Sequence, residues 1–118
     1  MKTSETGRSG EDLALKYLTA KKYKPVERNY RAGRYEIDLI MRHREVLVFV
    51  EVKSRHPGSF GLGREAVDKF KQHNIITAAK FFCKQHDCFQ EPMRFDVVEV
   101  DLETGKIEHI EGAFLASE

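Results

Sequence analysis

The sequence predicts one α/β (α+β) domain spanning residues 1–118, with helices packed on a mixed β-sheet. Three observations lead there. Two stretches, near residues 9–21 and 65–85, space their apolar residues as helices do. Four others, at 35–41, 46–53, 95–100 and 106–110, have the alternation or β-branched enrichment of strands. No repeat or linker-like segment interrupts the order, so one core is expected from 118 residues.

Ser9-Gly10-Glu11-Asp12 fits a capping box, a hydroxyl followed three residues later by a carboxylate. The first helix is therefore expected to begin there and end near Lys21. Ala14, Leu15 and Leu18 form its apolar stripe, and Glu11 lies on that stripe, facing the sheet. Pro25 and the Asn29-Tyr30 region suggest an edge strand or extended arm, because proline cannot donate to a sheet ladder.

Residues 35–41 follow as a strand, Ile37 and Leu39 alternating with Glu36 and Asp38. Arg42-His43-Arg44-Glu45 makes the hairpin turn. In 46–53 the four valines occupy one face, while Leu47, Phe49, Glu51 and Lys53 occupy the other. Both faces begin apolar, which places this strand centrally, covered on both sides. A loop with three glycines (Gly58, Gly61, Gly63) precedes a helix from about residue 65 to 85, with Val67, Phe70, Ile75, Ala78, Ala79 and Phe82 available for burial. Lys71 lies four residues from both Val67 and Ile75, on the inward stripe. Two strands joined by a Thr104-Gly105 turn close the chain.

Period-two alternation makes the chemistry legible. If 35–41 and 46–53 pair through a loop of even length, odd positions oppose even ones, and Asp38 and Glu36 share a face with Glu51 and Lys53. Uncompensated carboxylates are costly to bury, so such a cluster needs cations or a metal. One Glu–Lys pair alone would be an ordinary salt bridge. Glu11 and Lys71 aiming inward from separate helices favour a hard-cation site with oxygen ligands for Mg²⁺ or Mn²⁺.

Other chemistries lack their signatures. The five histidines are scattered, the glycines are not followed by the Lys-Ser/Thr of a P-loop, and no nucleophile elbow occurs. Cys83, His86 and Cys88 fall short of the four ligands of a structural zinc site and are expected to be ordinary reduced residues. No apolar run is long enough to span a bilayer and no secretory signal opens the chain, so a cytoplasmic location without membrane partners is expected. Net charge is only +1, but residues 1–90 carry 18 basic and 11 acidic groups, whereas 91–118 carry 2 and 8. A basic body with an acidic tail would let one face meet a polyanion, although on charge alone solvated faces are the expected reading.

The segments Gly10-Glu11, Glu36-Ile37-Asp38-Leu39-Ile40, Phe49-Val50-Glu51-Val52-Lys53 with Arg55, Ala66-Val67 with Lys71, and Arg94-Phe95-Asp96-Val97-Val98 resemble the YraN family. Those are small bacterial proteins similar to PD-(D/E)XK endonucleases and Holliday-junction resolvases. The resemblance runs from about Gly7 to Phe114. It implies a restriction-endonuclease-like fold, and roles residue by residue. Asp38 and Glu51 match metal-binding acids, with the Val52 carbonyl as a third ligand. Lys53 matches the lysine that orients the attacking water or stabilises developing charge, and Glu11 the helix carboxylate that resolvase-like members add. Arg55 and Lys71 would contact phosphate, and Glu36 fills a further motif position. The implied activity is metal-dependent hydrolysis of DNA, selective for structured or branched DNA, with a homodimer as the implied assembly. The alternative is a non-catalytic nucleic-acid-processing adaptor or a protein-interaction module. One departure is Tyr35, where family members often carry glycine.

Overall fold

The structure is a computed structural model that describes residues 2–55 and 67–116, with side chains from Ser9 onward. Its elements are α1 (Lys2–Ala20), β1 (Lys24–Ala32), β2 (Tyr35–His43), β3 (Val46–Arg55), α2 (Lys69–His86), β4 (Met93–Asp101) and β5 (Ile107–Phe114). The strands form one mixed sheet in the order β1-β2-β3-β4-β5. Neighbours are antiparallel except β3 and β4, which are parallel. A parallel pair needs a crossover too long for a hairpin, and α2 lies in that connection.

β3 is central and covered on both faces, as its apolar start requires. Val48 and Val50 join Ala14, Leu18, Leu39, Met41, Val98 and Val100 in the core beneath α1. Leu47 and Phe49 join the core beneath α2, with Ile75, Ala78, Ala79 and Phe82. There Phe49 stacks on Phe95 at 5.4 Å between ring centroids and meets Phe82 edge-on at 6.0 Å, geometries aromatic pairs favour.

Two helix boundaries differ from expectation. α1 begins at Lys2, so Ser9 is an interior residue and the capping-box reading fails. Such a signature marks a local preference, and no proline interrupts the residues before it. α2 starts at Lys69, where the Asp68 side chain accepts the Lys71 N–H at 2.9 Å, a capping bond. Residues 56–66, holding the glycine loop and the expected start of this helix, lie outside the described residues.

Phe70 is a further correction, since it is 73% exposed. At about 100° per residue it stands roughly 140° around the helix from Ile75, whereas Lys71 stands only about 40° away. Cys83 and Cys88 are buried free thiols, and His86 stacks on Phe82 at 4.1 Å. Burial, with the hydrogen bond that its S–H donates to Cys88, pushes the Cys83 thiol up to about 12.

Candidate acidic crevice

The β2–β3 ladder creates the candidate site by ending early. Its register runs from His43↔Val46 to Leu39↔Val50 and goes no further, although both strands continue. At the next step the Val52 N–H donates to the Asp38 carboxylate at 2.8 Å. A side-chain oxygen thus takes the place of a backbone acceptor, and the two backbones have parted. The alternation of β2 breaks here too. Leu39 packs beneath α1 while Ile37, two residues away, packs beneath α2.

Glu51 sits beside this opening, 5% exposed. Lys53 Nζ lies 3.4 Å and Lys71 Nζ 3.6 Å from its Oε2, so lysines from β3 and α2 bracket one carboxylate. Burial is the main force on Asp38, and the Glu51 charge adds to it. The Val52 N–H pulls the other way, as does Lys71, while Glu11 pushes further up. The result is an Asp38 carboxyl raised from 3.8 to about 7. Two carboxylates whose charges act on each other in a largely buried site favour either a shared proton or a cation.

The sequence-predicted residues therefore separate into groups. Asp38, Val52, Glu51, Lys53 and Lys71 converge. Glu11 is close enough to bear on Asp38 electrostatically, but its carboxylate is paired with Arg28 at 3.3 Å. Glu36 does not join the cluster as alternation suggested. It pairs with Arg31 across the β1–β2 hairpin at 3.1 Å, because the break at Asp38 takes the end of β2 away from β3. Arg55 is held by Glu99, with Nε 3.0 Å from Oε2.

Glu99 was not anticipated. It is fully buried on β4, and the parallel register sets it beside Lys53. Its inward position follows Phe95 and Val97 at period two. That alternation was the available signal, but its pairing with β3 needed the register across α2.

A second polar cluster lies on the α1 side. Asp96, fully buried, accepts from Arg94 at 2.9 and 3.0 Å and from the Gly112 N–H at 3.0 Å, and pairs with His109 Nε2 at 2.7 Å. Burial pushes the Asp96 carboxyl up, but the His109 and Arg94 bonds outweigh it and hold the group below its usual range. With its oxygens engaged by three partners, this cluster ties β4 to β5.

Among the described residues, no group of three or more His, Cys, Asp or Glu side chains stands close enough to enclose a metal. The donors in the crevice are two carboxylates and a backbone carbonyl. In a strand the N–H and C=O of one residue project to the same side. The Val52 C=O therefore faces the gap in which its N–H meets Asp38. This set fits Mg²⁺ or Mn²⁺, which bind through one or two carboxylates and take remaining oxygens from water or phosphate. It does not fit zinc, which prefers nitrogen and sulfur.

A mixed sheet between two helices, opened beside Asp38, Glu51 and Lys53, is compatible with a restriction-endonuclease-like α+β protein. The chain belongs to the Uncharacterised protein family UPF0102, the YraN group, whose profile matches residues 10–100. A UPF0102 protein of Saccharophagus degradans is 42% identical, covering 99% of this chain and 98% of the relative. One from Clostridioides difficile is 40% identical over 97% of this chain and 100% of the relative. Another from Caldanaerobacter subterraneus is 41% identical over 92% and 93%. No helix among the described residues is long and apolar enough to cross a membrane.

Proposed function

We propose that this protein is a divalent-metal-dependent endonuclease hydrolysing phosphodiester bonds in DNA. The observation that carries the reading is the parted β2–β3 ladder, where Asp38 caps the Val52 N–H beside a Glu51 bracketed by two lysines. Asp38, Glu51 and the Val52 carbonyl would hold Mg²⁺ or Mn²⁺. The chemistry such an ion supplies is Lewis-acid polarisation of the scissile phosphate and a lowered pKa for water.

The chain's own residues supply the rest. Phosphodiester hydrolysis builds negative charge on the non-bridging oxygens and the leaving oxygen. The Lys53 ammonium, 3.4 Å from Glu51, would stabilise that charge. Lys71 brings a second cation from α2 and, being 42% exposed, can turn toward a phosphate. Arg55 is oriented by buried Glu99 on the same strand as Lys53. Selectivity for branched DNA, and a two-fold dimer that could cut strands symmetrically, follow from the resolvase resemblance.

A second reading, a nucleic-acid-binding module without catalysis, is favoured by one observation. Lys53 and Lys71 already balance Glu51, so the cluster can be satisfied as an ion-pair network. The test is cleavage of labelled forked and four-way DNA in Mn²⁺ by wild type, Glu51→Gln and Lys53→Ala. The nuclease reading expects cutting by wild type and at least a hundredfold loss in both variants. Binding by all three without cutting would leave the second reading standing.

A further inference from the structure

We infer that the free end of the β1–β2 hairpin is a recognition arm for an unpaired nucleotide next to the acidic crevice. The inference rests on nucleic acid being the ligand, as in the proposed function, but does not need cleavage. Its basis is where the ladders stop. β1 and β2 pair as far as Ala32↔Tyr35, while β2 and β3 part after Leu39↔Val50. Residues 29–32 and 35–38 therefore form a two-stranded arm that pairs with itself and not with β3, its Tyr30 and Ile37 buried against the core beneath α2.

Lys53, Arg55 and Lys71 stand on the β3 and α2 side of the opening beside Asp38, and the arm carries Arg31 on β1 and Arg34 in its turn. Arg31 is 69% exposed even while paired with Glu36. A polyanion laid beside Asp38 and Glu51 would meet the cations of β3 and α2 there, and its continuation toward the tip would reach Arg34, an arrangement suited to phosphates.

The tip adds a flat surface. Gly33 and Arg34 form a two-residue turn with Gly33 at φ +63, the pattern of a type II′ hairpin, and beyond its chain neighbours a Cβ at Gly33 would meet none of the other described residues within 4 Å. The Arg34 guanidinium lies 5.3 Å from the Tyr35 ring centroid, with Nη2 3.4 Å from the Tyr35 hydroxyl. Tyr35 is partly buried and packs on the core beneath α2, which braces the tip. Three strand steps, about 10 Å, lead from Tyr35 to Asp38. A base beside the phosphate held at the acids could stack there. Guanidinium and aromatic planes bind nucleobases through the π-face, which a base within duplex already shares with its neighbours.

The arm is also held firmly at its root. Arg28 reaches Asp12 at 2.6 Å and Glu11 at 3.3 Å on α1, and the Tyr30 hydroxyl donates to Gln85 on α2 at 2.6 Å. A braced platform loses little freedom on binding.

The experiment measures affinity by fluorescence anisotropy, with Ca²⁺ replacing Mg²⁺ or Mn²⁺, for a labelled single strand, a fork and a blunt duplex of one sequence. The proteins are wild type, Arg34→Ala and Tyr35→Leu, the last keeping the apolar contact with the core; circular dichroism checks that each is folded. Wild type should prefer the single strand and the fork to the duplex. Each variant should lose at least about fivefold on those two probes, the scale of one lost stacking contact, and less than about twofold on duplex. Equal affinity of variants and wild type, or the same proportional loss on every probe, would overturn the arm. The outcome is separable from cleavage. Arm-dependent binding without cutting in Mn²⁺ would retain this inference and remove the nuclease reading, whereas cutting unaffected by either variant would do the reverse.

Discussion

Replacing Asp38 with Asn should make the metal-free protein more stable at alkaline pH, although it alters a residue at the centre of the site. Asn keeps an oxygen for the Val52 N–H and removes a charge that the crevice disfavours. The folded carboxyl titrates at about 7 instead of 3.8. Between those values the unfolded chain gives up its proton while the folded one retains it. Raising the pH therefore favours unfolding across that window and has no further effect on this term above it. From pH 5 to pH 8 about two pKa units are traversed, a ceiling of about 3 kcal/mol at 1.4 kcal/mol per unit. Water penetration and local relaxation should reduce that to about 1–2 kcal/mol. Urea denaturation in EDTA at pH 5, 6, 7 and 8 measures it. The advantage of Asp38→Asn over wild type should grow across the series and level off above pH 7. A pH-independent difference, or a variant that loses ground as pH rises, would refute the electrostatic argument.

Other consequences concern the lysines and the packing. Lys71→Met removes a cation 3.6 Å from Glu51 and should tighten Mn²⁺ binding a few-fold while weakening DNA binding, measured by calorimetry and anisotropy. A Cβ at Gly10 would collide with Ser54 Oγ. Gly10→Ala should therefore cost about 1 kcal/mol despite the better helix propensity of alanine. In a Ser54→Ala background the nearest remaining contacts are Ser54 Cβ at 3.7 Å and Val52 Cγ1 at 3.9 Å. There the same substitution should be neutral or stabilising in thermal melts. Asp96→Ala strands Arg94 and His109 at a buried site and should cost about 3–5 kcal/mol by urea denaturation. Because the Asp96 pKa is lowered on folding, its stabilisation is present above about pH 4 and lost as acid protonates it.

Much of the frame was legible because strands and helices have fixed periods. The two-residue turn at Arg44 and Glu45 gives the even loop length that opposes Asp38 to Glu51, and the register of Leu39 with Val50 follows from it. Lys71 reached the acids because four residues in a helix return nearly to one face. What escaped the sequence depends on longer range. Glu36 alternates correctly, yet the strands part at Asp38 and send it to Arg31. Glu99 meets Arg55 only through a parallel register set by packing across α2. Ser9 and Glu11-Asp12 imitate a helix start in the middle of α1, since a capping pattern shows where a helix could begin and not where one does.

Calorimetric titration of Mn²⁺ into wild type, Asp38→Asn and Glu51→Gln, each verified as folded and all at pH 8 where the Asp38 proton no longer competes, addresses the acidic crevice most directly. A metal-binding crevice predicts binding by wild type in the micromolar to millimolar range and loss of the signal in both variants. Wild type without heat of binding at millimolar Mn²⁺, both alone and with DNA present, would contradict it.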